Sequence, residues 1–174
     1  MSDIKVATLK TDTITNQEGT FSTTTNLLSN MPAFSAHIGS GNPGLSADTW
    51  TKIAADTELF DTNNNYDTSN YRFTPTVGGY YKVLVAVKIY RASGQQNFIK
   101  ATAIYKNGSK YKEIAIDGDF EYNNNNTHVT TSAIIHLNGS SDYIEAYAYS
   151  GVSGNIISGG SIGNTFEAFR LIGS

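Results

Sequence analysis

Apolar and polar residues alternate along this chain with a spacing of two, in short runs broken by turn-forming residues. In Tyr80–Tyr90, one face carries Tyr81, Val83, Val85, Val87 and Ile89, and the other carries Tyr80, Lys82, Leu84, Ala86, Lys88 and Tyr90. A period of two is the strand period. The same reading predicts strands over Ala33–Ile38, Trp50–Ile53, Thr57–Asp61, Tyr71–Thr74, Phe98–Lys106, Tyr111–Ile116, Thr127–Leu137, Asp142–Tyr149 and Thr165–Ile172. No stretch keeps a helical period, so the expected architecture is an all-β sandwich. Asn107-Gly108 and Asn138-Gly139 predict two tight hairpins, because Asn and Gly tolerate the positive backbone angles of a two-residue turn.

Three of these strands are apolar on both faces. Besides Tyr80–Tyr90, the last strand sets Phe169 and Leu171 against Phe166, Ala168 and Ile172, and Thr127–Leu137 sets Val129, Ala133, Ile135 and Leu137 against Ile134, flanked by His128 and His136. A strand apolar on both faces needs cover on both. A second sheet covers one; the other is expected to meet another subunit, since small domains rarely leave a large apolar patch in water.

Composition narrows the partners. The 174 residues fit one domain plus an extension, only 16% are charged, the formal net charge is -3, and no Lys/Arg run occurs, which argues against nucleic acid or an anionic membrane as the main partner. There is no cysteine, and so no disulfide, thiolate or zinc-thiolate chemistry. The N-terminus has no apolar run of the kind an export signal needs, and the longest such run, Val83–Val87, is far too short to span a bilayer. Residues 1–31 are Thr-rich, with isolated apolar residues at Ile4, Val6, Leu9 and Ile14, and cannot build a core; they are expected to form an extended attachment segment ahead of a domain at 32–174.

Catalytic and metal-binding patterns are thin. The three histidines fall on predicted strands, no nucleophile elbow, His-Glu-x-x-His or phosphate-cradling loop occurs, and no spacing pairs two carboxylates. His128 and His136 share one face of one strand, and interface packing is expected of them rather than a metal or pH-switch role. Asp61-Thr-Asn63-Asn-Asn65-Tyr-Asp67 offers oxygen donors at every second position, like a calcium loop, but Tyr66 stands where the sharp turn needs glycine and Arg72 where the bidentate Glu belongs. An Asx-rich turn is the expectation, with no metal and no cofactor. The Asn-Gly-Ser triplets and Asn125-Asn126-Thr127 match the N-glycosylation acceptor; without an export signal the hairpin reading of the triplets is preferred. Tyr66, Tyr71, Tyr111 and Tyr122, mixed with Asn, Ser and Gly, suit glycan or protein recognition, with Gly118–Asn126 and Ser150–Asn164 as candidate binding tips, although tyrosine is also a good strand former and such loops also make plain turns.

Particular blocks add a resemblance. Asp67-Thr-Ser-Asn-Tyr-Arg-Phe-Thr-Pro-Thr-Val-Gly-Gly-Tyr-Tyr81, the Phe34-Ser-Ala opening and Thr165-Phe-Glu-Ala-Phe-Arg-Leu-Ile172 resemble the globular head of the C1q and tumour necrosis factor superfamily, over about residues 32–174. The resemblance implies a jelly-roll sandwich that assembles as a homotrimer and binds rather than catalyses. In that family the first, last and two middle strands pack around the three-fold axis, which implies trimer-interface positions at Tyr80, Leu84, Tyr90, Ile134, His136, Phe166 and Ile172. The segment Leu9-Lys-Thr-Asp-Thr-Ile-Thr-Asn16, followed by Gln-Glu-Gly-Thr, resembles segments that precede terminal domains in bacteriophage fibre and appendage proteins. The combined expectation is a non-enzymatic virion protein, made in the host cytoplasm, serving as tail fibre, appendage or capsid decoration. It would join other virion proteins through residues 1–31 and touch a host surface glycan or protein, without membrane insertion. The alternatives are a purely structural capsid or tail cement protein and a secreted C1q-like glycan-binding module.

Overall fold

The computed structural model describes residues 14–16, 19–21, 31–39, 41–90, 99–116, 126–153, 155–157, 159–160 and 163–171. Among them there is no helix, and so none long and apolar enough to cross a membrane. Strands β1 (Ile14–Asn16) and β2 (Gly19–Phe21) pair with each other, Ile14 opposite Phe21 and Asn16 opposite Gly19. These residues form a local antiparallel pair within the N-terminal segment.

From β3 onward the chain forms two antiparallel sheets. The larger contains β3 (Ala33–His37), β4 (Gly44–Leu45), β6 (Thr57–Asp61), β9 (Gly79–Tyr90), β12 (Asn126–Leu137), β14 (Asn155–Ile157) and β15 (Asn164–Arg170). Its organiser is the twelve-residue β9. One edge of β9 pairs with β12 along its whole length, from Tyr90 opposite Asn126 to Gly79 opposite Leu137. The other edge takes β14 at Ile89–Tyr90 and then β15 from Val87 to Tyr81, after which β3 and β6 follow outward. The second sheet orders β11 (Ser109–Ile116), β10 (Lys100–Lys106), β13 (Ile144–Ser150), β8 (Arg72–Phe73) and β7 (Tyr66–Asp67), with β5 (Thr51–Lys52) beside β8 on the same edge of β13. First, last and middle strands lying together in one sheet, with the consecutive strands divided between two, is a jelly roll, as the resemblance implied.

The core lies between the sheets. Tyr81, Val83, Val85, Val87 and Ile89 of β9 are all buried, as their alternation predicts. Beneath them Phe34 stacks on Tyr66 (4.6 Å) and Phe73 (4.5 Å) and meets Phe166 edge-on (4.9 Å). Burying these rings is the largest apolar contribution of the sandwich. Burial also raises the Tyr81 hydroxyl to about 12, and pushes that of Tyr66 far above the ordinary phenol range. Both hydroxyls remain neutral donors, Tyr81 to the Val77 carbonyl (2.6 Å) and Tyr66 to the Ala55 carbonyl (2.7 Å). One polar pair crosses the core: the Thr131 hydroxyl donates to the Thr102 carbonyl (2.8 Å), which leaves Thr102 as donor in the 2.7 Å contact between the two hydroxyls.

Two turn expectations separate here. Asn107 and Gly108 take φ of 51° and 77°, the doubly positive turn expected between β10 and β11. Asn138-Gly139 is not a hairpin: β12 pairs with β9 and β13 with β10, so residues 138–143 cross from one sheet to the other. The Asn138 side chain organises that crossing, its Oδ1 accepting from the backbone N–H groups of Ser140, Ser141 and Asp142. Asp142 is held there by Lys106 and Asn107, whose hydrogen bonds keep its carboxyl below the usual range.

Two outward faces, one apolar and one self-bonded

The outward face of the larger sheet is where the sequence places an interface. Tyr80 (50% exposed), Ile134 (54%) and Phe169 (51%) stand on it, with Leu84, His136 and Leu171 around them. Register makes them neighbours: Ile134, Lys82 and Phe169 form one row across β12, β9 and β15, and Ser132, Leu84, Glu167 and Ser35 form the next, ending at Phe60 on β6. Tyr80 meets His136 edge to face at 5.2 Å. Leu59 and Phe60, both more than half exposed, extend the patch at the far edge. Five of the eight exposed large hydrophobics among the described residues lie on this one sheet.

The structure brings Tyr80, Leu84, Ile134 and His136 together as expected, and separates the other candidates. Phe166 is a correction: it is 1% exposed and faces inward against Phe34, so its side chain belongs to the core, and Phe169 takes the outward place on β15. Tyr90 faces outward at the opposite end of β9, about 30 Å from Tyr80, where the Lys88 ammonium lies 5.0 Å from its ring. Ile172 lies outside the described residues. Of the histidines, His37 is buried on β3, while His128 and His136 are exposed on β12, His128 opposite Lys88.

The sequence-level binding candidates disperse. Tyr66 is a core residue and Tyr111 donates to the Ile134 carbonyl at 3.2 Å, helping close the open edge between β11 and β12. Tyr71 holds a turn position at φ 53°, and Tyr122 lies outside the described residues, as does 118–125 of one proposed tip. The other tip, 150–164, contains β14 and is partly sheet. Asp61 points both carboxylate oxygens at backbone donors, Oδ1 at Asn63 N–H and Oδ2 at Tyr66 N–H, the Asx-rich turn that was expected. Asp67 is engaged likewise by Ser69 and Asn70, whose hydrogen bonds hold its carboxyl below the usual range. Among the described residues no three His, Asp or Glu gather as metal ligands.

The second sheet's outward face is built on another plan, one that sequence reasoning missed. Ala101 and Ala103 of β10 are buried although they point away from the core, because large rings from neighbouring strands lie over them. Tyr147 and Tyr149 pair with these alanines, Tyr105 stacks on Tyr147 at 3.9 Å, and Trp50 reaches both Tyr149 (5.3 Å) and Tyr105 (6.3 Å). Charges around the rings are matched. Glu145, 2% exposed, binds Lys52 (2.7 Å) and Arg72 (2.9 Å), and Arg72 also stacks 3.8 Å over the Tyr143 ring. Lys110 bridges Glu113 and sits 4.3 Å from the Trp50 ring, while the Tyr149 hydroxyl donates to Asp48 at 2.7 Å. That bond raises the Tyr149 phenol first, burial second; burial raises Tyr105 and Tyr147, so all three stay neutral.

Known proteins share this fold. No model of a known protein family matches the chain. It is 30% identical over 126 residues to the uncharacterized protein YqcC of Bacillus subtilis (strain 168), covering 69% of this chain and 34% of that protein. It is also 30% identical over 149 residues to the phage-like element PBSX protein XkdV of the same organism, covering 79% of this chain and 21% of that protein. The chain therefore spans about a third and a fifth of the lengths of these curated relatives. Among solved structures, murine APRIL at pH 5.0 and at pH 8.0 each superpose with a TM-score of 0.58 at 8% identity, covering 81% of this chain and 99% of that one. The chain is thus an all-β jelly roll of the tumour necrosis factor type.

Proposed function

We propose that this is a bacteriophage virion protein without catalytic chemistry of its own. In this reading residues 1–31 attach it to other virion proteins and residues 32–174 form a jelly-roll head that assembles as a homotrimer and touches the host surface as a tail fibre, appendage or capsid decoration. The observation that carries the reading is the apolar outward face of the larger sheet: Tyr80, Ile134, Phe169 and Phe60, each half in water in the single chain, lie in adjacent register rows around the partly exposed Leu84. Packing copies against that face removes those side chains from solvent; full burial of such a group is worth about 1.5–3 kcal/mol, and these half-exposed groups have about half of that left to gain. The phage setting is supported by the relationship to XkdV, named for a phage-like element, and by the cysteine-free composition. Three identical heads on one rigid body would convert weak single contacts into firm attachment.

Antibody raised against the chain should label intact virions, and deletion of residues 1–31 should abolish incorporation while leaving the free head folded. Absence of the protein from purified particles would contradict the virion reading.

A further inference from the structure

We propose that the outward face of the second sheet is a binding platform for neutral pyranose saccharides, with Trp50, Tyr105, Tyr147 and Tyr149 as the stacking surface and Asp48, Lys110 and Glu113 as the hydrogen-bonding rim. A pyranose presents a flat C–H face and a border of hydroxyls. Aromatic rings suit the first and charged or phenolic groups suit the second.

The arrangement has both, and it is already ordered. Tyr105 is fixed by its stack on Tyr147 and Tyr149 by its bond to Asp48, while Trp50 bridges two register rows across the space left by Ala101 and Ala103. Rings held this way lose little freedom when a ligand docks. Trp50, Tyr105, Tyr147 and Tyr149 are each partly exposed, so a ligand can reach them.

Charge selects against other occupants. Lys52, Arg72 and Lys110 balance Glu145, Asp48 and Glu113, so the face offers no net field to a polyanion such as nucleic acid. A dry protein interface would have to strip water from these ion pairs, which costs more than it returns. The other sheet's outward face carries half-exposed Phe60, Tyr80, Ile134 and Phe169, which such an interface would suit better. The assignment deepens the host-surface part of the proposed function and rests on it, but is independent of trimer assembly.

Trp50 is the only tryptophan in the chain, so its emission reports on the platform directly. Titrating the full chain with maltohexaose and with chitohexaose should produce a saturable change in Trp50 emission for at least one of them. Tyr149→Ala should weaken that binding by about tenfold or more. Trp50→Ala, followed by calorimetry, should do the same and guards against a folding defect in the first variant. Ile134→Ser, on the opposite sheet, should leave binding unchanged.

No emission change with either saccharide, or undiminished binding in both platform variants, would overturn the proposal. Adhesion to purified cell wall separates it from the wider reading. If the chain adheres and the platform variants adhere equally well, the platform is wrong while host attachment stands. If the saccharide titration saturates but no cell wall retains the chain, the platform stands and host attachment falls.

Discussion

The two outward faces of this sandwich share a core and a strand period, yet they treat solvent in opposite ways. On the second sheet the charged groups around the aromatic cluster are partnered within the chain: Glu145 by two cations, Lys110 by Glu113, Asp48 by Tyr149. Its rings stack on one another and on Arg72 and Lys110. On the larger sheet the outward face sets the half-exposed Tyr80, Ile134, Phe169 and Phe60 among a few short polar contacts, Lys82 to Ser132 and Ser35 to Glu167, with the Tyr80–His136 pair and the Lys88–Tyr90 contact as its ring contacts among the described residues. The first surface is complete as a single chain and has polar bonds to offer a ligand. The second has apolar area whose removal from water is a driving force for association.

The strongest way to break the contrast is to damage what both faces rest on. Phe34→Ala removes a fully buried ring that touches three others and is expected to destabilise the fold by about 3–5 kcal/mol. Urea denaturation should show the loss, with both sheets unfolding together. Next in size, Glu145→Ala undoes the self-bonded face alone. It strands Lys52 and Arg72, but their side chains are 29% and 35% exposed and can turn to water, so the expected cost is about 1–3 kcal/mol. Glu145→Gln keeps the shape and one acceptor and should cost less. Equal losses from the two substitutions, read from the urea midpoints, would show that the charge rather than packing holds this site; no loss in Glu145→Gln would show the reverse.

The smallest effect is one of pH. Asp56, through the Gly39 backbone N–H, Asp67, through Asn70, and Asp142, through Lys106, all have carboxyls held below the usual carboxylate range. A group whose folded value is depressed contributes stability above its unfolded value and loses it as pH falls through the folded one. Thermal stability should therefore stay level from neutrality to about pH 5 and decline below about pH 4. A decline starting between about pH 6 and 7 would contradict the assignment to these carboxyls.

Much of the fold was legible because β9 and β12 alternate cleanly, and the sharp Asn107-Gly108 turn names its own geometry. Strands β4, β7 and β14 were hidden because two or three residues inside Asn- or Gly-rich stretches carry no period. The last strand misled for a specific reason. In Thr165-Phe166-Glu-Ala168-Phe169-Arg-Leu171 the apolar positions change phase midway, so alternation fits either face; the inward side is decided by the Phe34 and Tyr66 rings, which come from distant parts of the chain. The aromatic platform was hidden by a reversal of size. In Tyr143–Tyr149 and Ala101–Tyr105 the alternation is visible, but the ring-bearing positions turn outward: on β13 the small alanines face the core, and on β10 they lie beneath the rings. Only strand pairing could show that these tyrosines and Trp50 converge.

Light scattering on the full chain in micromolar solution bears most directly on the apolar face. A mass three times that of the 18.8 kDa chain, reverting to the single-chain mass in Phe169→Asp with little change in the stability of each head, is the expected result. A stable 18.8 kDa species for the unaltered chain would contradict it.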